Sequence, residues 1–373
     1  MKPFRKIIIA IGLTIVSALI IYFVWQKIAG PNNNERVPPP DGNSTSTPPV
    51  ANLKKLSDRP IFDFWLVPDT GEIYYLDSNG GVFGAKEGVD LEISTQTIEA
   101  LNFIQSSPNH QKILAAFDDP RAPQWGIFDL IDKVWRPLPE EIINATWAAT
   151  TDELIVLAKN QGAINLSTTD ITKNPPTYKT ILKDFRLKDV RLTFKPPQSL
   201  FIAESPSASY AGGIWLFDLK TANLNLILAP EKGLTISWSK DLAAAFKFSS
   251  PRKFSVLNGL TLGRLAPTPI VTLPQKCTAD SFSSSSLNLY CFSPQNVTQS
   301  TILPDDYFQK KIYTIDDLLQ INIDPTLGQT NLIKELLKSN ELNAIDGFSP
   351  RYFNKTLFFV NRRDGHLYQL EVK

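Results

Sequence analysis

The sequence predicts an all-β body, a seven-bladed β-propeller with six or eight blades as the alternatives, preceded by one transmembrane helix. Three observations carry this reading. From Leu53 onward the apolar residues alternate with period two, in short runs rich in β-branched and aromatic side chains. A Gly-led strand motif returns along the body with a mean spacing of about 47 residues, the length of one four-stranded blade. Ahead of the body, Ile7 to Trp25 is an apolar run without a single charge.

As a helix, Ile7–Trp25 would be roughly 28 Å long, close to the hydrocarbon thickness of a bilayer. Tyr22 and Trp25 fall at its far end, where amphipathic rings favour the headgroup level. Lys2, Arg5 and Lys6 lie in the stub 1–6 and form the denser basic cluster, which favours a cytoplasmic N-terminus and an extracytoplasmic body. A cleaved signal peptide would have a shorter apolar core ending in small residues, whereas this run is longer and a cut after Ala29 would place Lys27 at the small-residue position. Residues 26–52 then read as a linker. Pro38, Pro39, Pro40, Pro48 and Pro49 among Asn, Ser and Thr leave almost nothing to bury and favour an extended chain.

The body spans 53–373. Its strands include Glu72–Leu76, Lys112–Phe117, Glu153–Ala158, Ser199–Glu204, Asn288–Phe292 and Thr356–Val360. The repeat motif appears at Gly81-Val82-Phe83, Gly126-Ile127-Phe128, Gly213-Ile214-Trp215 and Gly365-His366-Leu367. Weaker copies stand at Gly162 and Gly259, and a copy without glycine at Asp317-Leu318-Leu319. A blade has two apolar faces and needs a neighbour on each, which a ring provides. Asn331–Asn340 reads equally as helical turns, a charged strand or a loop. The last repeat ends one strand short, so Leu53–Ser57 is expected to pair with His366–Val372 and close the ring, removing an open sheet edge.

Cys277 and Cys291 flank a turn centred on Ser284, so in a symmetric hairpin they face each other, within reach of a disulfide. Closing that loop would contribute about 3 kcal/mol on the chain-entropy model, in an oxidising compartment. Two buried free thiols are the alternative.

The turns in Phe103–Ile113, Trp238–Ala243 and Phe348–Leu357 resemble those joining the first two strands of TolB-like and WD40-like blades. The stretches Lys276–Cys277, Leu289–Pro294, Leu303–Phe308, Asp316–Leu319 and Phe358–Gly365, with the opening Leu56–Pro60, are similar to segments of uncharacterised, membrane-tethered bacterial propeller proteins. The resemblance implies an anchor, a propeller and the disulfide; it implies no ligand.

Composition narrows the function. With 38 Lys+Arg against 37 Asp+Glu there is no global basic field for nucleic acid. His110 and His366 stand far apart, and no Gly-x-Ser-x-Gly elbow, phosphate loop or dinucleotide fingerprint occurs, so neither an enzyme nor a cofactor is expected. Of the paired carboxylates at Asp118-Asp119, Asp305-Asp306 and Asp316-Asp317, adjacent members on a strand would point to opposite faces. Trp65, Trp125, Trp135, Trp147, Trp215 and Trp238 are expected mainly between blades. What remains is recognition by loops on a rigid scaffold. The longest insertions are Asp118–Gln124, Thr168–Tyr178, Ser205–Gly212 and Gln295–Lys311. The last places Asp305, Asp306, Tyr307, Phe308, Lys310 and Lys311 together, a mixture typical of interface hot spots. The expected function is a membrane-anchored extracytoplasmic module that binds a protein or envelope partner and scaffolds an assembly. A propeller that binds or cleaves cell-surface glycan is the alternative.

Overall fold

Seven antiparallel sheets of four strands each are found in a computed structural model that describes residues 53–86, 89–173, 175–187, 189–280, 286–338 and 344–372. These sheets belong to one compact unit, residues 50–373. The predicted stub 1–6, membrane helix 7–25 and linker 26–52 lie outside the described residues. Among the described residues no helix is long and apolar enough to cross a membrane.

The chain opens with β1 (Leu53–Lys55). Blade 1 is β2 (Ile61–Val67), β3 (Glu72–Asp77), β4 (Val82–Lys86) and β5 (Val89–Ser94). Blade 2 is β6 (Phe103–Ser106), β7 (Lys112–Phe117), β8 (Gln124–Asp129) and β9 (Val134–Pro137). Blade 3 is β10 (Ile142–Trp147), β11 (Glu153–Asn160), β12 (Ala163–Asp170) and β13 (Tyr178–Leu182). Blade 4 is β14 (Val190–Lys195), β15 (Ser199–Glu204), β16 (Ala211–Asp218) and β17 (Leu224–Lys232). Blade 5 is β18 (Thr235–Trp238), β19 (Ala244–Ser249), β20 (Lys253–Asn258) and β21 (Arg264–Ala266). Blade 6 is β22 (Cys277–Ala279), β23 (Leu287–Pro294), β24 (Asp316–Asp324) and β25 (Gln329–Leu337). Blade 7 is β26 (Gly347–Phe353), β27 (Thr356–Asn361) and β28 (Leu367–Glu371), completed by β1.

First strands of neighbouring blades approach one another, β10 with β14 and β22 with β26, so the first strand of each blade faces the axis. The second strands are apolar on both sides because each blade lies between two others. In β7, Ile113 packs with Trp65, Val67 and Leu76 of blade 1, while Leu114 and Ala116 pack with Ala145, Trp147 and Leu154 of blade 3. Outer strands face water and alternate less cleanly; β17 exposes Leu224 and Leu226.

The Gly-led motif marks the third strand in blades 1, 2, 3, 4 and 7, and its glycine-free copy marks β24. The copy at Gly259 does not: it falls in the turn between β20 and β21, where the third strand has already ended. Its backbone runs so close to the preceding turn that a Cβ there would lie 1.9 Å from the Leu242 carbonyl oxygen. The ambiguous Asn331–Asn340 supplies most of the strand β25, which ends at Leu337.

Ring closure follows the expected pairing. β1 runs antiparallel to β28 with Leu53 opposite Leu370 and Lys55 opposite Tyr368. The contact continues past the strand: the Leu56 amide donates to the Leu367 carbonyl (2.8 Å), and the Leu367 amide donates to Ser57 Oγ (3.0 Å). His366 Nδ1 lies 3.1 Å from the Ser57 carbonyl oxygen. Cys277 and Cys291 are directly opposed in the β22–β23 pair and are joined by a disulfide.

Candidate functional site: one face of the ring between blades 4 and 7

In an antiparallel blade, the connection from the second to the third strand and the connection to the next blade leave from the same end. One face of the ring therefore carries the insertions 118–123, 205–210 and 295–315. The insertion 171–177, between β12 and β13, lies on the opposite face. The 295–315 insertion is the longest of the three on its face, and it includes the one-turn helix α1 (Asp305–Phe308).

Rather than a loose loop, the insertion is a strap seated on its neighbours. Leu303 and Tyr307 are buried with Phe248 of blade 5 and Leu273, and Val297, Ile312 and Phe348 pack around them. Ser250 Oγ donates to the Leu303 carbonyl (2.8 Å), and the Arg252 guanidinium donates to the Thr298 carbonyl. Further along, Asp305 accepts a hydrogen bond from the Ala208 amide of blade 4 (2.8 Å). Toward blade 7, Arg362 Nη2 donates to the Tyr307 carbonyl (3.1 Å). The strap thus ties blades 4, 5, 6 and 7.

Beneath it lies a buried ionic cluster. Lys276, immediately before β22, is fully buried, and its ammonium donates to Asp316 Oδ2 (2.6 Å), Asp346 Oδ1 (2.7 Å), Thr314 Oγ1 (2.9 Å) and the Gly347 carbonyl (3.0 Å). Asp346, immediately before β26, also accepts from the Tyr307 hydroxyl (3.0 Å), the Thr314 amide (3.1 Å) and Arg362 Nη1 (3.3 Å). Two cations and two carboxylates meet, so the charges balance without water. Burial alone would pull the Lys276 ammonium down, but Asp316, Tyr307 and Asp346 outweigh it and hold the group protonated well above the usual lysine range. Burial also works upward on both carboxyls. At Asp316 it wins, raising that carboxyl; at Asp346 the opposing pull of Lys276 and Arg362 wins, and the carboxyl lies below its ordinary value. The chain runs tightly here: a Cβ on Gly347 would lie 2.3 Å from Phe292 Cγ.

The six residues singled out in the sequence separate into two groups. Tyr307 is buried, with Lys276 Nζ 4.8 Å and Arg362 Cζ 3.9 Å from its ring centre. Asp305 holds Ala208, and Asp306 caps its own turn by accepting from the Ile302 amide (2.8 Å), with Lys311 beside it at 3.8 Å. Phe308, Lys310 and Lys311 reach solvent. The same face carries other exposed side chains: Ile302 and Tyr313 in the same insertion and, from the blade 4 insertion, Tyr210. Among the described residues, Phe308, Tyr313 and Tyr210 are the aromatics that stand out as exposed large hydrophobics, and all three lie on this face.

The other residues weighed in the sequence serve packing and turns. Trp65, Trp125 and Trp147 are buried in inter-blade clusters, and Trp135, Trp215 and Trp238 pack against such clusters. His110 occupies a tight turn with a positive φ of 61°, and burial lowers its pKa. Asp119 caps a turn through the Arg121 amide (2.9 Å).

No family model matches the chain, and no curated protein does. Solved structures do resemble it. An oligogalacturonate lyase from Vibrio parahaemolyticus superposes with a TM-score of 0.57 at 11% identity, covering 86% of this chain and 93% of that one. U3-55K gives a TM-score of 0.52 at 7% identity, over 87% of this chain and 99% of that one. TolB from Acinetobacter baumannii gives 0.41 at 15% identity, and the match spans only 55% of this chain and 53% of TolB. At these identities the likeness shows the propeller fold alone.

Proposed function

We propose that this chain is a membrane-anchored, extracytoplasmic propeller that binds a protein partner of the cell envelope through the strap-bearing face. The observation that carries the reading is that the exposed aromatics Tyr210, Phe308 and Tyr313 all lie on that face, which also exposes Ile302 and the cations Lys310 and Lys311. Exposed aromatics held on a rigid support, with charge at their margin, are the composition of protein-binding hot spots. The strap gives them that support, because its inner residues are fixed by buried contacts to neighbouring blades. Location rests on the charge-free run Ile7–Trp25 and its basic flank, and the Cys277–Cys291 disulfide favours an oxidising compartment.

Two experiments test this. Affinity capture from crosslinked membranes should recover a specific partner with the wild-type chain and lose it with a Tyr210→Ser/Phe308→Ser/Tyr313→Ser variant of unchanged melting temperature. Equal capture by both proteins would defeat the interface. The anchor predicts that the full chain resists alkaline extraction from membranes while a chain lacking residues 1–25 does not; extraction of both would defeat the anchor.

A further inference from the structure

Blade 5 carries a second feature, outside the aromatic patch. On the side of β19 and β20 that faces blade 4, Ala245 and Leu257 pack against Ile214 and Leu234. Toward the strap-bearing end the same side changes character. The next opposed pairs are Lys247 with Ser255 and Ser249 with Lys253, so the apolar contact between blades 4 and 5 gives way to cations and hydroxyls. The outer strand does not cover them. β21 is three residues long, and beyond Ala266 the chain leaves the sheet, with Thr268 Oγ1 donating to the Phe254 carbonyl (3.2 Å).

The result is a cleft of about 600 Å³ with Lys247, Arg252, Lys253 and Arg264 on its walls and Glu231 as the one carboxylate. Glu231 is engaged by Lys247. Burial works upward on its carboxyl, but hydrogen bonds from Lys247 and Ser249 and the nearby charge of Lys253 lower it, so it stays ionised. That leaves three cationic side chains without an ion pair among the described residues: Arg252, Lys253 and Arg264. In a chain whose net charge is +1, such a concentration is local. The contrast is a cleft of about 500 Å³ against blade 4 at β11–β13, where Lys179 and Lys220 share the wall with Glu153.

We propose that the cleft between blades 4 and 5 binds a small oligoanion, a ligand with two or more carboxylate or phosphate groups. Arg252, Lys253 and Arg264 meet the charges, and Ser249, Ser255 and Thr268 supply hydroxyl hydrogen bonds. The volume lies within the range of small-ligand sites and exceeds what a single phosphate fills. Guanidinium groups suit either acid, because both present paired oxygens to the planar fork.

The test is calorimetric titration of the full chain in uncharged detergent, at low salt, with tripolyphosphate and with citrate as probes. The proposal expects saturable one-to-one binding of at least one probe, weakening as sodium chloride is raised. Tighter binding of tripolyphosphate assigns a phosphate ligand; tighter binding of citrate assigns a carboxylate ligand. A Lys253→Ala/Arg264→Ala variant should bind at least tenfold more weakly with its melting temperature unchanged, since both side chains are exposed. A Lys179→Ala/Lys220→Ala variant should bind as wild type. No saturable binding of either probe, or equal weakening by the two variants, would overturn the proposal.

Discussion

Lys276 holds its charge in a fully buried site, and the oxygens around it come from two distant segments, 314–316 and 346–347. Removing one member of such a group leaves the others unpaired in a dry site, at a cost of about 3–5 kcal/mol. Lys276→Ala should therefore lower the unfolding free energy by about that amount, read by urea titration; a loss below about 1 kcal/mol would mean the cluster is solvated. The pH dependence has a defined sign. Because the Asp346 carboxyl is depressed in the fold, its contribution is present above its unfolded value of 3.8 and is lost as pH falls through the lower folded value. Asp316 works in the opposite sense: raised in the fold, its contribution is present below 3.8 and fades as pH rises through the higher value. In Asp346→Asn the loss of stability below pH 3.8 should be smaller than in wild type, measured as urea midpoints down the acid range. Little of this was legible in the sequence. Lys276, Asp316 and Asp346 are scattered over three segments, and no local pattern distinguishes a buried charge from a solvated one. The one available signal was positional: Lys276 and Asp346 each stand immediately before the first strand of a blade, shortly after the apolar pairs Leu273-Pro274 and Ala344-Ile345.

Single strands are more legible than single sites, because two neighbouring blades bury both sides of each second strand and leave a continuous apolar run in the sequence. The repeat motif marks the third strand whether its glycine precedes the strand, as Gly81 and Gly162 do, or lies within it, as Gly126 and Gly213 do, and it fails at Gly259, where the same residue type serves a tight turn. An outer strand such as β25 carries no clear period, since much of its surface faces water. The aromatic patch was half visible: Phe308 stood out within its insertion, but Tyr210 joins it only through the Asp305–Ala208 contact between blades 4 and 6. The β1 strand lends itself to a direct test. Deleting residues 53–57 removes its pairing with β28, the buried Leu56 and the Ser57 contacts to Leu367 and His366. Burial of one leucine contributes roughly 1.5–3 kcal/mol before hydrogen bonds are added. The melting temperature should fall by about 5 °C or more, and an unchanged transition in differential scanning calorimetry would show that the strand is dispensable.

At the scale of the whole molecule, seven blades share a few solutions to one packing problem, and the distinctive parts are what departs from the repeat. The strap between β23 and β24 and the shortened β21 both lie on the same side of the molecule, one raising an aromatic platform and the other opening a cationic cleft. The fold is shared with a lyase and with U3-55K at 7–11% identity, so the fold by itself assigns no chemistry. The joining of Leu53 to Leu370 also has a bearing on biosynthesis. The two sides of the seam stand some 310 residues apart in the chain, so β1 leaves the ribosome long before β28 and meanwhile has no partner. The nascent protein carries an unpaired β-sheet margin until β28 emerges, and a chain cut short ahead of β28 keeps that margin uncovered. Quality control would then need to act on the seam, which is open to pairing with other chains until β28 reaches β1.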